Sequence, residues 1–197
     1  ETENVHSYTD ELKAALKEYK EVTNDFGSLT SPADMTARKK GNAKVPTVSR
    51  WLDDTKANTK WIDQTVMTTQ AFDTLGRAVD QTQDIFVYKG TTLQQASHNV
   101  IKNLNYDNRG DAAEQHITSF KVDGLVQTPI DYKVLTNRTY DASHNISNQM
   151  ILTYSDSAST TPLDIQESRS IGFSHGVALQ QILITYSDLA KPQHLGV

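Results

Sequence analysis

Near the end of the chain, Val177–Ile184 is an apolar run that contains only two polar residues, Gln180 and Gln181. A β-strand turns successive side chains to opposite faces, so every second residue shares a face. One face receives Ala178, Gln180, Ile182 and Ile184, and the other receives Val177, Leu179, Gln181 and Leu183. The pattern predicts a strand with one glutamine on each apolar face. The two amides are either ordinary strand groups bonded to a neighbour or to water, or the floor of a binding site.

The first 80 residues show helical spacing instead. Apolar residues recur three or four positions apart, which predicts helices at about 7–22, 48–57, 61–67 and 69–80. Gly27 and Pro32 end the first of these helices, and residues 27–47 are interpreted as a loop or a broken helix. We therefore predict an N-terminal helical layer over residues 1–80.

Strand signals begin at Asp84. The run Asp84–Gly90 is rich in β-branched and aromatic residues and stops at a glycine. A helix is predicted at about 92–103, then strands at 117–122 and 125–128, a helical or loop stretch at 130–141, and strand-like runs from Asn148 onward. We find no internal repeat in the sequence. This order of elements predicts an α+β fold and not a repeating βαβ fold.

Composition narrows the function classes. An apolar fraction of 37% in 197 residues, with many Thr, Ser, Asn, Gln and Asp residues, favours β-rich structure with long polar loops. A net charge of −5 without a basic stripe argues against a nucleic-acid surface. The chain has no cysteine, and its six histidines lack ligand spacing, so no metal site is predicted. No apolar run reaches the length of a membrane span and no signal peptide is recognised, and the start at Glu1 indicates a processed or trimmed chain.

Four segments together resemble the NAD-dependent mono-ADP-ribosyltransferases, which include binary actin-modifying toxins and transferases injected by phages. The segments are Met67–Gly90, with Val87-Tyr88-Lys89-Gly90 where the family has Val-Tyr-Arg-Gly, then Gly124–Pro129, Asn148–Gln166 and Leu179–Ile184. The resemblance implies a single domain over residues 1–197. In that domain, the helical layer precedes a strand-rich core at 84–197, formed by a pair of packed, mostly antiparallel sheets.

The same resemblance assigns site residues and shows that most of them are substituted. Lys89 replaces the arginine that grips the NAD phosphates, and Thr128 is what remains of a Ser-Thr-Ser motif. Leu179 and Gln181 occupy the positions of the two glutamates. Gln181 supplies no negative charge for an oxocarbenium-like transition state. Glu167 and Glu114 are the candidate substitute carboxylates, although neither has the strand position that the mechanism requires.

Three function hypotheses follow. The first is a degenerate ADP-ribosyltransferase fold without catalysis that binds a protein partner or has a structural role, as a toxin-like component or a phage virion protein. Its location would be a virion or the secreted or injected state. The second is an active transferase that uses NAD at a divergent site formed by Lys89, Thr128 and Gln181. The third is an unrelated α+β interaction module.

Overall fold

The computed structural model describes residues 2–8, 16–27, 31–174 and 176–187, and nearly all of them lie in β-strands. The strands are β1 Thr2–Tyr8, β2 Leu16–Asp25, β3 Val45–Trp51, β4 Trp61–Phe72, β5 Ala78–Lys89, β6 Thr92–Tyr106, β7 Ala112–Asp123, β8 Val126–Tyr140, β9 Ile146–Tyr154, β10 Asp164–Ser174 and β11 Val177–Tyr186. The described residues also form one α-helix, α1 Pro32–Lys39, and a short 3-10 turn at Asn58–Lys60. The strands belong to one antiparallel sheet, in which hydrogen-bonded neighbours follow the order of the chain.

The predicted α+β fold is therefore wrong, both in its helical layer and in its pair of sheets. Residues 61–67 and 69–80, predicted as helices, form β4, a turn and the start of β5. The reason is that these strands are half-exposed along most of their length, so the polar–apolar alternation of a strand with one buried face is weak. Their Thr, Val, Ile and aromatic residues favour strands, and this preference outweighs an accidental helical spacing. The first predicted helix is also wrong where the structure describes it, since it falls on β1 and β2; the rest of that prediction lies outside the described residues.

The chain divides into two compact units, residues 1–100 with 120–128 and residues 101–119 with 129–197. In the first unit, β1 to β5 pair in succession, with Val22 opposite Val48 and Val48 opposite Thr65. Aromatic rings gather at one end of β3. Trp51 packs on Trp61 with ring centroids 4.2 Å apart and on Tyr19 at 5.8 Å. This contact holds the ends of three neighbouring strands together.

In the second unit, β8 pairs with β9, β9 with β10, and β10 with β11. The buried cluster of this unit is small. Ile165 of β10 and Ile184 and Tyr186 of β11 are buried, and Met150 and Ile182 pack against them. All five side chains lie on one side of the β9–β10–β11 ladder, because their registers place them on alternate positions of the same face.

An internal repeat that the sequence analysis did not find is visible in the turns. Asp73, Asp107 and Asp141 lie 34 residues apart, and each follows an aromatic residue at the end of a strand. Each Asp accepts two backbone N–H bonds in its own turn through one carboxylate oxygen, at 2.8–2.9 Å. The fourth residue of each turn has positive φ. It is Gly76, Gly110 or His144, with φ of 73°, 94° and 64°.

The helix α1 packs against the first of these turns. Ser31 caps α1 by accepting a hydrogen bond from Asp34 N at 3.0 Å, and Pro32 occupies its first turn. Ala37 is buried against Gly76, whose carbonyl also accepts a bond from Asn42 Nδ2 at 2.9 Å. A Cβ on Gly76 would lie 2.6 Å from Ala37 N. The turn therefore requires glycine both for its φ and for this close approach.

We expect Gly76→Ala to destabilise the protein more than Gly90→Ala. Both glycines have positive φ, 73° and 68°, and this alone costs an alanine about 1–2 kcal/mol. Only Gly76 meets backbone atoms, whereas Gly90 has open space around it, so the Gly76 variant should lose about 1–3 kcal/mol more. Urea unfolding followed by tryptophan fluorescence measures the difference, because both tryptophans, Trp51 and Trp61, lie in the first unit. Equal losses in the two variants would contradict the packing of α1 on this turn.

Candidate functional site

The structure confirms the predicted strand at the end of the chain and its two faces. Leu179 and Gln181 lie on the same face of β11, together with Val177 and Leu183. The three aliphatic side chains of this face are 52–73% exposed. Their neighbours across the ladder on β10 are small, with Ser168 opposite Leu183, Ser170 opposite Gln181 and Ser174 opposite Val177. We call Val177, Leu179, Gln181 and Leu183 the outer row of β11.

Gln181 is held by the neighbouring strand. Its Nε2 donates a hydrogen bond to Ser168 Oγ at 3.0 Å. Leu179 lies over Gly172, where a Cβ would meet Leu179 Cδ1 at 3.3 Å. Gln181 therefore behaves as a strand residue bonded to its neighbour, which is one of the two interpretations that its pattern left open.

Glu167 lies on the opposite face. The β10–β11 register places it across from Ile184, with Tyr186 and Ile165 on the same side. It is a buried strand residue, and not the loop residue that the sequence suggested. A carboxylate on this face cannot replace one at Gln181, because the sheet itself separates the two side chains.

A hydrogen-bond network occupies the Glu167 carboxylate. Arg169 Nε donates to Oε1 at 2.8 Å and Arg169 Nη2 donates to Oε2 at 3.0 Å. The Tyr186 hydroxyl also donates to Oε2. With the Asn148 amide oriented so that its nitrogen faces Glu167, that nitrogen donates to Oε1 at 3.1 Å. The hydrogen bond to Glu167, with burial as a second cause, raises the pKa of Tyr186 above its ordinary value of 10.0. The network keeps a buried charge paired, which is a structural role.

We expect Tyr186→Phe to lower the free energy of unfolding at pH 7 by about 1.5–3 kcal/mol, the usual contribution of a hydrogen bond to a charged group. A raised folded-state pKa means that the hydroxyl contributes stability fully below pH 10.0 and loses it as pH rises through the folded value. The difference between variant and wild type should therefore shrink above pH 10. Chemical unfolding from pH 7 to pH 11 measures it. Tyr88→Phe is the control, and a loss of the same size there would count against the network.

Glu114 is also engaged by neighbours. It lies within β7, where His116 Nε2 is 2.6 Å from Oε1 and Asn105 Nδ2 donates to Oε2 at 2.6 Å. The Tyr132 hydroxyl lies 2.8 Å from His116 Nδ1, so Glu114, His116 and Tyr132 form a hydrogen-bonded chain of three side chains. Burial, and then the charge of Glu114, raises the pKa of Tyr132, so its hydroxyl stays protonated at neutral pH. A hydroxyl in that state is a hydrogen-bond donor and not an activated nucleophile.

Lys89 and Thr128 belong to the first unit. Lys89 is the last residue of β5 and is exposed. Thr128 is the third residue of β8 and is also exposed. Two strands, β6 and β7, lie between β5 and β8 in the sheet order. At the usual strand spacing this puts the two backbones ~14 Å apart. Leu179 and Gln181 belong to the second unit, so the four residues do not form one compact cluster within either unit.

The repeated turns of the second unit are bonded to each other. Arg109 Nη1 donates to the Asp141 carbonyl at 2.8 Å, and Nη2 donates to the Tyr140 carbonyl at 3.2 Å. In the other direction, His144 Nδ1 lies 2.9 Å from Asp111 Oδ1. Hydrogen bonds to the carboxylate lower the pKa of Asp141, chiefly that from the Asn145 side chain. These contacts fix the ends of the hairpins.

We expect Asp141→Ala to lower the urea midpoint at pH 7, because three N–H bonds to the carboxylate are lost. A lowered folded-state pKa contributes stability above the ordinary value of 3.8 and loses it as pH falls through the folded value. The penalty of the variant should therefore fade below pH 3.8. Urea unfolding by circular dichroism at pH 7 and pH 3 measures both effects. Asp123→Ala is the control, because no hydrogen bond to its carboxylate is found within the described ranges. A pH-independent penalty for Asp141→Ala would contradict the turn's dependence on its charge.

In the ranges that the structure describes, no group of three or more His, Asp or Glu side chains is arranged to hold a metal ion. The single α-helix described, α1, has eight residues, and no described helix has the length and apolar character to cross a membrane.

Comparison with known proteins finds no matching family model, no matching curated protein and no matching solved structure. The resemblance to ADP-ribosyltransferases therefore depends on the sequence segments alone, and the pair of packed sheets that it implied is replaced by one antiparallel sheet. The NAD cofactor, the roles of Lys89, Thr128, Leu179 and Gln181, the protein partner and the toxin or virion setting remain predictions.

The sequences of β9 and β11 are also similar, which the hydrophobic pattern alone does not reveal. The run Gln180-Gln-Ile-Leu-Ile-Thr-Tyr-Ser187 nearly repeats Asn148-Gln-Met-Ile-Leu-Thr-Tyr-Ser155 of β9. Both strands pair with β10, one on each side, and run in the same direction. In β9, the edge directed away from β8 pairs with β10. The corresponding edge of β11 has no partner strand among the described residues. A comparison of the chain with itself at this spacing would have found the repeat.

Proposed function

We propose that this chain is a protein-binding module that takes up an extended strand of a partner along the open edge of β11. The observation that carries the proposal is the composition of that strand. From Val177 to Tyr186 it has ten residues and no charge, no proline and no glycine. Its pairing with β10 continues without a bulge from Ile165–Tyr186 to Ile171–Gln180. The backbone N–H and C=O groups of its other edge are directed away from β10.

Edge strands of natural sheets are normally protected against such pairing by charges, prolines, bulges or short length. The opposite end of the sheet follows this rule, since β1 contains Glu3 and has a register shift between Ser7 and Tyr8. In contrast, β11 lacks each of these features. An unprotected edge of this length would be a liability unless pairing is its role.

Strand addition also explains the exposed side chains of the outer row. When a peptide joins a sheet edge, backbone hydrogen bonds provide affinity and alternate side chains provide specificity. Val177, Leu179 and Leu183 are 68%, 73% and 52% exposed and lie on one face beside that edge. A partner strand would bring its own alternate side chains alongside them. Apolar side chains at those partner positions would remove the aliphatic surface from water.

The test uses a peptide with the sequence of β10, residues 164–174, because β10 pairs with β9 at the edge that corresponds to the open one of β11. Binding of the fluorescein-labelled peptide to the whole chain is followed by anisotropy. We expect saturable binding at micromolar concentration, and no binding by a peptide methylated on alternate backbone nitrogens, which cannot pair. Equal binding of the methylated peptide, or none of either up to about 1 mM, would refute the proposal.

Variants locate the binding to β11. Leu179→Lys places a charge in the outer row and should weaken peptide binding about tenfold or more, since an edge lysine opposes strand addition. Leu163→Lys is the matched control, because Leu163 has the same 73% exposure but precedes β10. Circular dichroism confirms that both variants keep the wild-type strand content. Equal effects of the two substitutions would place the binding elsewhere.

A further inference from the structure

We infer that the strand taken up by β11 is the β11 of a second copy of this chain, in antiparallel register centred on Gln181. This inference rests on the proposed function and adds the identity of the partner. A two-fold axis through the pair makes the same surface serve both copies. The three observations that favour it are the symmetry of the outer row, its lack of charge, and the full overlap of the two strands.

The outer row is complementary to itself in one register. With Gln181 facing Gln181 of the partner subunit, Leu179 faces Leu183 of the partner subunit, and the reverse pair forms on the other side of the axis. These leucines are 73% and 52% exposed in the single chain. Two leucine pairs would thus cover each other at cross-strand distance, and the two glutamine amides could bond across the axis.

Other symmetric registers are poorer. A centre on Leu179 sets Val177 against the glutamine and leaves Leu183 facing a residue before β11 begins. A centre on Leu183 moves Val177 and Leu179 beyond the end of the partner strand. Only the register centred on Gln181 pairs both leucines with leucines, and it also overlaps the ten residues almost completely.

The lack of charge on β11 also suits a second copy as the partner. The chain has a net charge of −5, so two copies carry charge of the same sign. The strand Val177–Tyr186 has no charged residue, and it can approach its own copy without placing like charges opposite each other.

The size of the contact sets the expected strength. One pair of ten-residue strands covers less than the roughly 1,200 Å² typical of stable protein interfaces. We therefore expect a reversible dimer with a dissociation constant in the micromolar range. Sedimentation velocity of the whole chain from about 1 to 200 µM should show a monomer–dimer equilibrium. Leu179→Lys should shift it to monomer, and Leu163→Lys should not.

Cysteine cross-linking tests the register directly, because the chain contains no cysteine of its own. Gln181→Cys should give a covalent dimer with copper phenanthroline or a short bis-maleimide, since facing Cβ atoms are about 4.5–5.5 Å apart. A mixture of Leu179→Cys and Leu183→Cys should give mainly the mixed dimer. Leu125→Cys, at a fully exposed turn residue, is the control for random collision and should stay monomeric.

The outcomes separate this inference from the proposed function. If the β10 peptide binds but the chain stays monomeric and Gln181→Cys does not cross-link, the second copy is wrong as the partner and strand binding stands. If neither peptide binding nor dimer is found, both are wrong. If a dimer forms but cross-links equally well through Leu125→Cys, or if Leu179→Lys leaves the monomer–dimer equilibrium unchanged, the interface lies elsewhere and the inference is overturned.

Discussion

Hydrogen bonding between neighbouring strands is the interaction on which this structure depends. Among the described residues, only ten apolar side chains are buried, and most strand positions are half-exposed. Burial of apolar surface therefore contributes less here than in a protein with a thick core. The backbone groups of each strand must be satisfied by the next strand, and the paired strands follow each other for most of their length, with register shifts near the ends of the β3–β4 and β4–β5 pairings. Side chains mainly set the register of that pairing.

The turns supply much of this register. A shift of one residue would turn every side chain of a strand to the wrong face, and a weakly buried sheet offers little resistance to it. Asp73, Asp107 and Asp141 each fix a turn through the same set of bonds. In the second unit, Arg109 also ties its own turn to the next one. The repeated turns thus fix the register of the strands, which in other β proteins is fixed by the burial of one face in a large core.

The dependence on backbone hydrogen bonding between strands also explains why the last strand, β11, can bind a further strand. Each strand between two others has both edges satisfied, whereas β11 pairs with β10 alone in the described part of the sheet. Its neutral sequence, its lack of a bulge and its exposed leucines leave that edge available to a further strand. The buried Glu167 network lies on the other face, so it stabilises β11 against β10 without obstructing the outer row.

The sequence by itself determined β11, because half of its ten neutral residues are β-branched or aromatic and favour a strand, and it also placed Leu179 and Gln181 on one face. It could not identify β4 and the start of β5 as strands, because half-exposed strands lack a clear period and allowed a helical interpretation. It could not place Glu167 either, since the face of a residue depends on register. Only the tertiary structure decided that Glu167 and Gln181 lie on opposite faces and that the helices assigned to residues 61–67 and 69–80 are strands. Backbone pairing between successive strands fixes both results, because the register of that pairing decides the face of each residue and no local pattern records it.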